Sequence, residues 1–375
     1  MTQRERQLLR WIEENPLISQ QELADRAGIT RSSVAVHISN LMKKGHIAGK
    51  GYIVTSAPYA VVVGGVNMDI GGVSHRPLVS ADSNPGRVRM SLGGVGRNIA
   101  HNMTMLGVDT RMLTAFGDDL YAQKIAASCG ELGIDISRSL QVPGGVTSTY
   151  LFIANENGDM ALALSDMDIY DHLTPEFLAS RAQLLNNAQA VVVDTNIPAR
   201  SIAWIADHIK LPIFADPVST AKAEKLRPVL GKLHTLKPNR LEAELLSGVA
   251  ITDESSLNAA ADALLATGLR RVFISLGGDG VLAADHKERR HLPCFPGRMV
   301  NTTGCGDAFM AAIVWAYLEG TDLEDTARAG LAASAIAMEG AETINPAMSA
   351  EAVKARMGET AADGTNEADP AGFAG

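Results

Sequence analysis

From Tyr59 onward, short apolar runs alternate with longer stretches of helical periodicity, and this alternation limits the possible folds. Short apolar runs bounded by turn residues are typical of buried strands. The strand-like runs are YAVVVGGVNMDI, RMLTAF, STYLFIA, MALALS, AVVVDT, LPIFADP, TLKPN and RVFISLG. Helical stretches lie between them, among them GRNIAHNMTMLG, LEAELLSG and ESSLNAAADALLATG. The alternation predicts an α/β fold, a doubly wound sheet covered by helices on both faces.

The N-terminal part of the chain follows a different pattern. Residues 3–14 predict a first helix, and Ser19 caps a second helix with Glu22 completing a capping box. Thr30 caps a third helix, whose Val34, Ile38, Leu41 and Met42 are predicted to form one apolar face. The segment GKGYIVT (49–55) then predicts a small β-wing. Three short helices with a tight turn between the last two resemble the winged helix-turn-helix domains of bacterial transcription regulators.

The exposed face of the third helix is the candidate DNA-reading surface. Its candidate base contacts are Arg31, Ser32, Ser33 and His37, and its candidate phosphate contacts are Lys43, Lys44 and Lys50. Residues 1–56 contain eight basic and five acidic residues, whereas the whole chain carries a net charge of -9. Because this basic excess is small for a DNA-binding domain, a module that serves only dimerisation or folding remains the alternative.

Composition places the chain among ordinary globular proteins. Hydrophobic residues make up 46% and charged residues 20%, which allows a sizeable core. The three cysteines show no CxxC spacing, so the sequence predicts neither a disulfide framework nor a zinc cluster. The charged start lacks the apolar core of a signal peptide, and no run of about 18 apolar residues occurs. We therefore expect a cytoplasmic protein without a membrane partner.

The stretch VNTTGCGDAF (300–309), followed by the apolar run MAAIVWAYLEG, carries the clearest chemistry. Glycines directly before a helix leave backbone N–H groups accessible, and the helix N-terminus favours a phosphate. Asp307 lies in the first turn, where it could accept a proton from an attacking hydroxyl. Taken alone, the motif is better explained by Asp307 as a simple helix cap and by glycines that only turn the chain.

Three further stretches change that balance. GGVGRNIA (93–100) again places glycines before a helix, with Asn98 in its first turn. KPNRLE (237–242) and SLGGDG (275–280) follow in order. Together with the GCGD stretch they resemble the ribokinase-like (PfkB) sugar kinase family over about residues 59–347.

The resemblance implies a role for each matching residue. Asp307 would be the catalytic base, and the backbone amides of Gly304, Cys305 and Gly306 would form the anion hole. The implied sugar contacts are Asn67, Asp69, Gly93, Gly94 and Asn98. The implied ATP contacts are Lys222, Asn239, Glu242, Ser275, Gly277, Gly278, Gly280 and Thr302. Asn239 and Glu242 would also organise Mg²⁺ indirectly, so the resemblance implies ATP and Mg²⁺ as cofactors.

Two positions depart from the family pattern. Asn301 stands where the family usually has aspartate, in a region that contributes to the cation site of relatives using a monovalent cation. This substitution leaves a K⁺ requirement open. Cys305 stands where the family usually has alanine, and it is either an oxidation-sensitive thiol or simply a small residue.

Four segments, 64–72, 83–102, 165–175 and 215–226, resemble the bacterial pseudouridine kinases, which make the nucleoside 5′-phosphate. The resemblance implies a small β lid, formed by segments near 71–92 and 145–166, that closes over sugar and base. The candidate contacts to the base edge are Thr149, Ser165, Asp166 and Asp168, with Lys222 as a further candidate. For Asp166 and Asp168 a solvated loop is the alternative.

The predicted organisation is a winged helix-turn-helix domain at 1–56, a kinase domain at 57–356 and a disordered tail at 357–375. Alternative substrates are inosine, guanosine, uridine or free ribose. An alternative of another class is a transcription regulator whose kinase-like domain senses a ligand. By analogy with the family, we expect a homodimer formed through the lid.

Overall fold

The computed structural model describes residues 1–47, 49 and 58–358. The chain forms two compact units, Met1–Tyr59 and Ala60–Gly375. The predicted wing (apart from Gly49) and the predicted tail beyond Gly358 lie outside the described residues, as does Lys50. Within the described part of the chain, no helix combines the length and the apolar character needed to cross a membrane.

The first unit contains three helices, as predicted: α1 (Gln3–Glu14), α2 (Gln20–Ala27) and α3 (Arg31–Lys43). The Ser19 hydroxyl accepts the backbone N–H of Glu22, and the Glu22 carboxylate accepts that of Ser19, which confirms the predicted capping box. The helices enclose a small apolar core that includes Leu8, Ile12, Leu23, Val34, Ile38 and Leu41.

Met42 is an exception to the predicted apolar face of α3. Its side chain is 45% exposed, whereas that of Leu41 is fully buried. Consecutive helical residues point about 100° apart, so Met42 lies beside the buried stripe of α3 rather than on it. The prediction that Met42 joins this core was wrong.

The second unit is an α/β structure. Its strands are β1 (Ala60–Val63), β2 (Asn67–Ser74), β3 (Gly86–Gly93), β4 (Thr110–Leu113), β5 (Ala115–Phe116), β6 (Leu140–Gln141), β7 (Thr149–Ala154), β8 (Met160–Asp166), β9 (Ala190–Asp194), β10 (Ile213–Asp216), β11 (Thr235–Leu236), β12 (Arg271–Ser275), β13 (Val281–Asp285) and β14 (Arg289–Leu292). Its helices are α4 (Val95–Met105), α5 (Leu120–Leu132), α6 (Pro175–Ala179), α7 (Ala182–Asn186), α8 (Ala199–His208), α9 (Thr220–Ala223), α10 (Arg240–Ser247), α11 (Glu254–Ala266), α12 (Cys305–Leu318), α13 (Leu323–Met338) and α14 (Ala350–Met357).

The main sheet has eight strands in the order β14-β13-β12-β11-β10-β9-β1-β4. The six neighbouring strands β12, β11, β10, β9, β1 and β4 run parallel to one another. β13 pairs antiparallel with β12, and β14 pairs antiparallel with β13. Every residue of β1 and β9 is buried, which is why both segments read as continuous apolar runs. The predicted doubly wound α/β fold is confirmed, although the predicted strand runs did not include β3, β6, β13 and β14.

A second sheet of four strands has the order β3-β2-β7-β8. The apolar run that begins at Tyr59 supplies strands to both sheets, because the chain leaves the main sheet between β1 and β2. Several large apolar side chains of this sheet are exposed: Val88, Met90, Leu151, Ile153, Leu162 and Leu164. Helix α12, by contrast, is buried along nearly its whole length against α13 and α4.

Candidate active site

Asp307 lies in the first turn of α12 and is held there by α4. The Asn98 side-chain amide donates from Nδ2 to Asp307 Oδ2 over 2.8 Å. Asn98 Oδ1 is buried and has no hydrogen-bond partner among the described residues. Since buried polar atoms are normally satisfied, an unpaired oxygen at this position is unusual.

The loop before α12 depends on a glycine. Gly304 has φ +86°, and a Cβ at this position would lie 2.3 Å from the carbonyl oxygen of Thr343. A larger residue would therefore displace the turn that aims the first N–H groups of α12 outward. Asn301 braces the same loop, because its Nδ2 donates to Ala341 O at 3.3 Å and its Oδ1 accepts from Thr303 N at 2.9 Å.

A buried ion pair lies beneath this helix start. Lys237 Nζ is 3.2 Å from Asp216 Oδ2, and both side chains are more than 90% buried. The same ammonium lies 3.1 Å from the place a Gly306 Cβ would occupy, so it borders the GCG turn directly. Burial alone would lower the pKa of Lys237, but Asp216 and Asp307 outweigh it and hold that pKa above its ordinary value.

The pKa of Asp307 is raised to about 7. Removal from water is the main cause, and the negative charge of Asp216 adds to it. The Asn98 hydrogen bond and the Lys237 ammonium act in the opposite direction. The residue as a whole is half-buried.

Asp69 lies near the start of β2, beside the turn that joins β3 to α4. A Cβ on Gly93 would be 2.1 Å from Asp69 Oδ2, which shows that the carboxylate packs directly on that glycine. The Asn67 amide donates to Asp69 Oδ1. Burial raises the pKa of Asp69 to about 6, while Asn67 and the Arg97 guanidinium oppose the rise. The predicted sugar residues thus lie together, with Gly94 at the N-cap of α4.

The loop between β1 and β2 is held by two residues that the sequence did not single out. Asp194, fully buried at the end of β9, accepts the Gly65 N–H at 2.8 Å, and burial raises its pKa. The buried Tyr170 hydroxyl accepts the Val66 N–H at 2.7 Å and donates to the Val66 carbonyl at 2.5 Å. Tyr170 follows β8, so it ties the end of the four-stranded sheet to the start of β2.

The predicted ATP residues also lie close to one another. Asn239 caps α10 and shares a capping box with the buried Glu242, and it forms a parallel bridge with Ser275. The Gly277–Asp279 turn follows Ser275 directly, and Gly280 packs its backbone on Leu292. Thr302 is exposed in the loop before α12, and its carbonyl accepts a long 3.4 Å hydrogen bond from Cys305 N.

Lys222 lies on α9, which packs against α10, and its ammonium points toward the segment of the predicted base contacts. Lys222 Nζ donates to Asn196 Oδ1 at 2.6 Å and contacts Met167 Sδ at 3.3 Å. Met167 lies between Asp166 and Asp168, both of which are exposed.

Strand pairing divides the remaining base candidates between the two faces of the small sheet. Asp69 pairs with Tyr150, and Tyr150 pairs with Ser165, so Ser165 lies on the face that carries Asp69. Thr149 and Asp166 pair with each other in the alternate register and lie on the opposite face.

In the first unit, Arg31, Ser32 and Ser33 are exposed at the start of α3. His37 is half-buried, and its Nδ1 has no partner among the described residues. Val36, which sequence reasoning did not select, is 60% exposed on the same helix. Lys44 lies 2.7 Å from the buried Glu5 carboxylate, an ion pair that competes with any phosphate contact.

Comparison with known proteins identifies the family. Residues 57–350 match the model of the pfkB family of carbohydrate kinases, and residues 1–47 match a winged helix-turn-helix DNA-binding model. The chain belongs to the PfkB carbohydrate kinase family. Its fold is ribokinase-like, and it is a phosphotransferase that acts on an alcohol group. Kinases of this family use ATP and Mg²⁺ in general.

Individual relatives support the same conclusion. An uncharacterised sugar kinase of Escherichia coli, YeiI, is 40% identical over 94% of this chain and 98% of its own length. The pseudouridine kinase of Escherichia coli is 39% identical over 78% of this chain and 94% of its own length. A ribokinase structure from Thermotoga maritima superposes with a TM-score of 0.72 and 26% identity, covering 80% of this chain and 99% of that one.

The buried ion pair gives a stability prediction. Lys237→Met leaves the Asp216 carboxylate without its cation, and we expect the free energy of unfolding to fall by about 3–5 kcal/mol. Denaturant titration followed by circular dichroism measures the change. Lys232→Met, which removes an ion pair with Asp207 that is half exposed to solvent, is the matched control and should have little effect. Equal effects of the two substitutions would contradict the structural role of Lys237.

Proposed function

We propose that this kinase phosphorylates the 5′-hydroxyl of a nucleoside, and that the nucleoside is pseudouridine. One observation carries the choice of substrate: the 39% identity with a pseudouridine kinase extends over 94% of that protein. The geometry agrees with a sugar hydroxyl as acceptor, because two carboxylates lie at the start of α4. Asp307 accepts a hydrogen bond from Asn98, and Asp69 packs on Gly93.

In this proposal Asp307 is the general base. It accepts the proton of the 5′-hydroxyl while the hydroxyl oxygen bonds to the γ-phosphorus of ATP. The bond from that phosphorus to the β–γ bridging oxygen breaks, and ADP leaves. Asn98 holds Oδ2 of Asp307, which leaves Oδ1 for the substrate proton. A pKa of about 7 suits a base that works near neutral pH.

The GCG turn would stabilise the transferring phosphoryl group. The amides of Gly304, Cys305 and Gly306 belong to the N-terminal end of α12, where the helix dipole favours negative charge. Lys237 adds a full positive charge beside Gly306. Burial raises the pKa of the Cys305 thiol and the Asp307 carboxylate adds to that rise, so the thiol stays protonated and unreactive. We therefore favour Cys305 as a small residue rather than a redox sensor.

The triphosphate would extend from this turn toward Asn239 and the Ser275–Gly280 turn. The carboxylate of Glu242 and the amide of Asn239 are hard oxygen donors next to the expected phosphates, a set that suits Mg²⁺ held mainly by water and phosphate. When bound, Mg²⁺ neutralises phosphate charge. The chain's own contribution is the capping box, which fixes both side chains.

On the sugar side, the Asp69 carboxylate would accept hydrogen bonds from the two hydroxyls of a cis-diol, with Asn67 in support. The small sheet would act as the lid. Ser165, on the Asp69 face, is then better placed to contact the sugar or base than Thr149 and Asp166. Asp168 and Lys222 lie near Met167, where β8 ends level with the start of β2, so we place them on the sugar side of the site rather than at the base. Inosine, guanosine, uridine and ribose remain the alternative substrates.

We further propose that turnover does not require K⁺. The Asn301 amide donates to Ala341 O and its backbone N–H donates to Met338 O at 3.1 Å, so the anion-hole loop is braced by the protein itself. An amide that donates to a carbonyl oxygen takes the place of a cation that this oxygen would otherwise bind.

A second proposed function is DNA binding by the first unit, supported by the match of residues 1–47 to a DNA-binding model. Arg31, Ser32 and Ser33 present polar groups, and Val36 presents a methyl-sized apolar contact suited to thymine. Transcription would then be repressed until the nucleoside binds.

We also propose a homodimer in which the exposed apolar face of the small sheet covers its counterpart in a second copy. Val88, Leu162 and Leu164 are each more than half exposed, which is unusual for a sheet face in a monomer. Sedimentation equilibrium of the purified chain distinguishes dimer from monomer.

A substrate panel tests the main proposal. ATP-dependent phosphorylation is measured with pseudouridine, uridine, inosine, guanosine, adenosine and ribose, each in K⁺ and in Na⁺ buffer. We expect the highest kcat/KM with pseudouridine and equal rates in the two buffers. Preference for another acceptor would reject pseudouridine, and a rate that depends on K⁺ would reject the role given to Asn301.

Asp307→Asn tests the base. We expect kcat to fall by about 10²- to 10⁴-fold, because the proton acceptor is lost, while nucleoside binding measured by calorimetry persists. In the unaltered enzyme, kcat should fall as the pH drops below about 7, since protonation of Asp307 removes the base. The exposed Asp262→Asn is the control and should keep the normal rate and pH profile. Near-normal turnover of Asp307→Asn would exclude this role.

DNA binding is tested by gel shift with the DNA upstream of the chain's own gene. We expect a specific band that weakens with rising salt and disappears in Arg31→Ala. Asp25→Ala, an exposed change on α2, is the control. The absence of a specific band at moderate salt would reject the second function.

A further inference from the structure

The small sheet has two successive rows of side chains on the face that carries Asp69. The sugar row, read across β3-β2-β7-β8, is Ser91, Asp69, Tyr150 and Ser165. The second row, two residues along each strand, is Arg89, Gly71, Phe152 and Ala163. Side chains two apart along a strand point to the same face, so both rows face the same space.

Close approaches confirm this orientation. The Asp69 carboxylate packs on Gly93, and the Phe152 ring packs on Gly71, where a Cβ would lie 2.4 Å from the ring carbon Cζ. The Tyr150 and Phe152 rings are 6.0 Å apart between centroids. A larger residue than glycine at 71 would push the Phe152 ring off the sheet.

The direction of β2 shows which of the two rows lies nearer to Asp307. β2 starts beside Gly93, next to the helix that carries Asn98, and runs outward past Asp69 and then Gly71. With the 5′-hydroxyl at Asp307 and the sugar diol at Asp69, the base on C1′ lies farther out. Two strand residues span about 7 Å, a distance that suits the step from ribose to its base.

The second row has the chemistry of a base platform. Phe152 is half-buried and has an aromatic ring, and its neighbours in the row, Gly71 and Ala163, are small residues. Arg89 is exposed at the edge of the row, and no hydrogen bond or ion pair joins its guanidinium to another described residue. A planar guanidinium with several donors matches the carbonyl oxygens of a pyrimidine.

We infer that this second row binds the nucleobase, with Phe152 stacking on the ring and Arg89 donating hydrogen bonds to a carbonyl oxygen at its edge. The inference rests on the proposed nucleoside substrate and names the residues that distinguish a nucleoside from a bare sugar. Asp69 and the sugar row serve both acceptors, whereas the second row serves only the base.

The experiment compares kcat/KM for pseudouridine and for ribose in Phe152→Ala, Phe152→Leu and Arg89→Ala. Loss of base stacking should lower kcat/KM for pseudouridine by about 5- to 150-fold. Phe152→Leu keeps an apolar side chain packed on Gly71, and it too should lower kcat/KM more for pseudouridine than for ribose. We expect kcat/KM for ribose and KM for ATP to change less than about twofold. Where ribose turnover is too slow, its inhibition constant against pseudouridine gives the same comparison.

Arg87→Ala is the matched control, since Arg87 lies one row farther out on the same strand, opposite Val73. It removes the same charge and should leave both acceptors unaffected. Equal losses on pseudouridine and ribose, or an Arg87→Ala loss as large as that of Arg89→Ala, would overturn the inference. Failure of the nucleoside proposal would be seen in the unaltered enzyme, which would then have a higher kcat/KM for ribose than for pseudouridine.

Discussion

The site depends on keeping an aspartate at the start of a helix where water is largely excluded. Asp307 gains a raised pKa from that exclusion and from the nearby charge of Asp216. Two buried carboxylates so close together would be unstable alone, and Lys237 supplies the compensating charge beneath both. The turn at Gly304, the apolar burial of α12 and the packing of α4 all serve to hold this group in place.

Much of the fold could be predicted from the sequence, because local patterns decide it. Buried parallel strands such as β1 and β9 are continuous apolar runs, and capping residues such as Ser19 mark helix starts directly. β3 was harder to recognise. Its residues are mostly exposed and include Arg87 and Arg89, so its sequence lacks the apolar signal of a strand that covers a core.

The candidate site could be predicted only where a local motif or a family resemblance marks it. Asp194, Asp216 and Lys237 come from the ends of strands far apart in the sequence, and their significance arises from the topology that brings those ends together. The division of Ser165 and Asp166 between two faces follows from strand register, which depends on long-range pairing. Lys222 likewise required the structure, which places it against Met167.

The Tyr170 hydroxyl joins both peptide groups of Val66, and Tyr170 lies in the short helical turn Asp168–His172 that comes after β8. Val66 immediately precedes the strand that carries Asp69. A single rigid phenol ring therefore connects the exit of the small sheet to the segment that leads into Asp69. If the sheet closes over a nucleoside as proposed, covering the base would also move the strand that holds the sugar, so an acceptor too small to engage the outer part of the sheet would be held less firmly at its ribose.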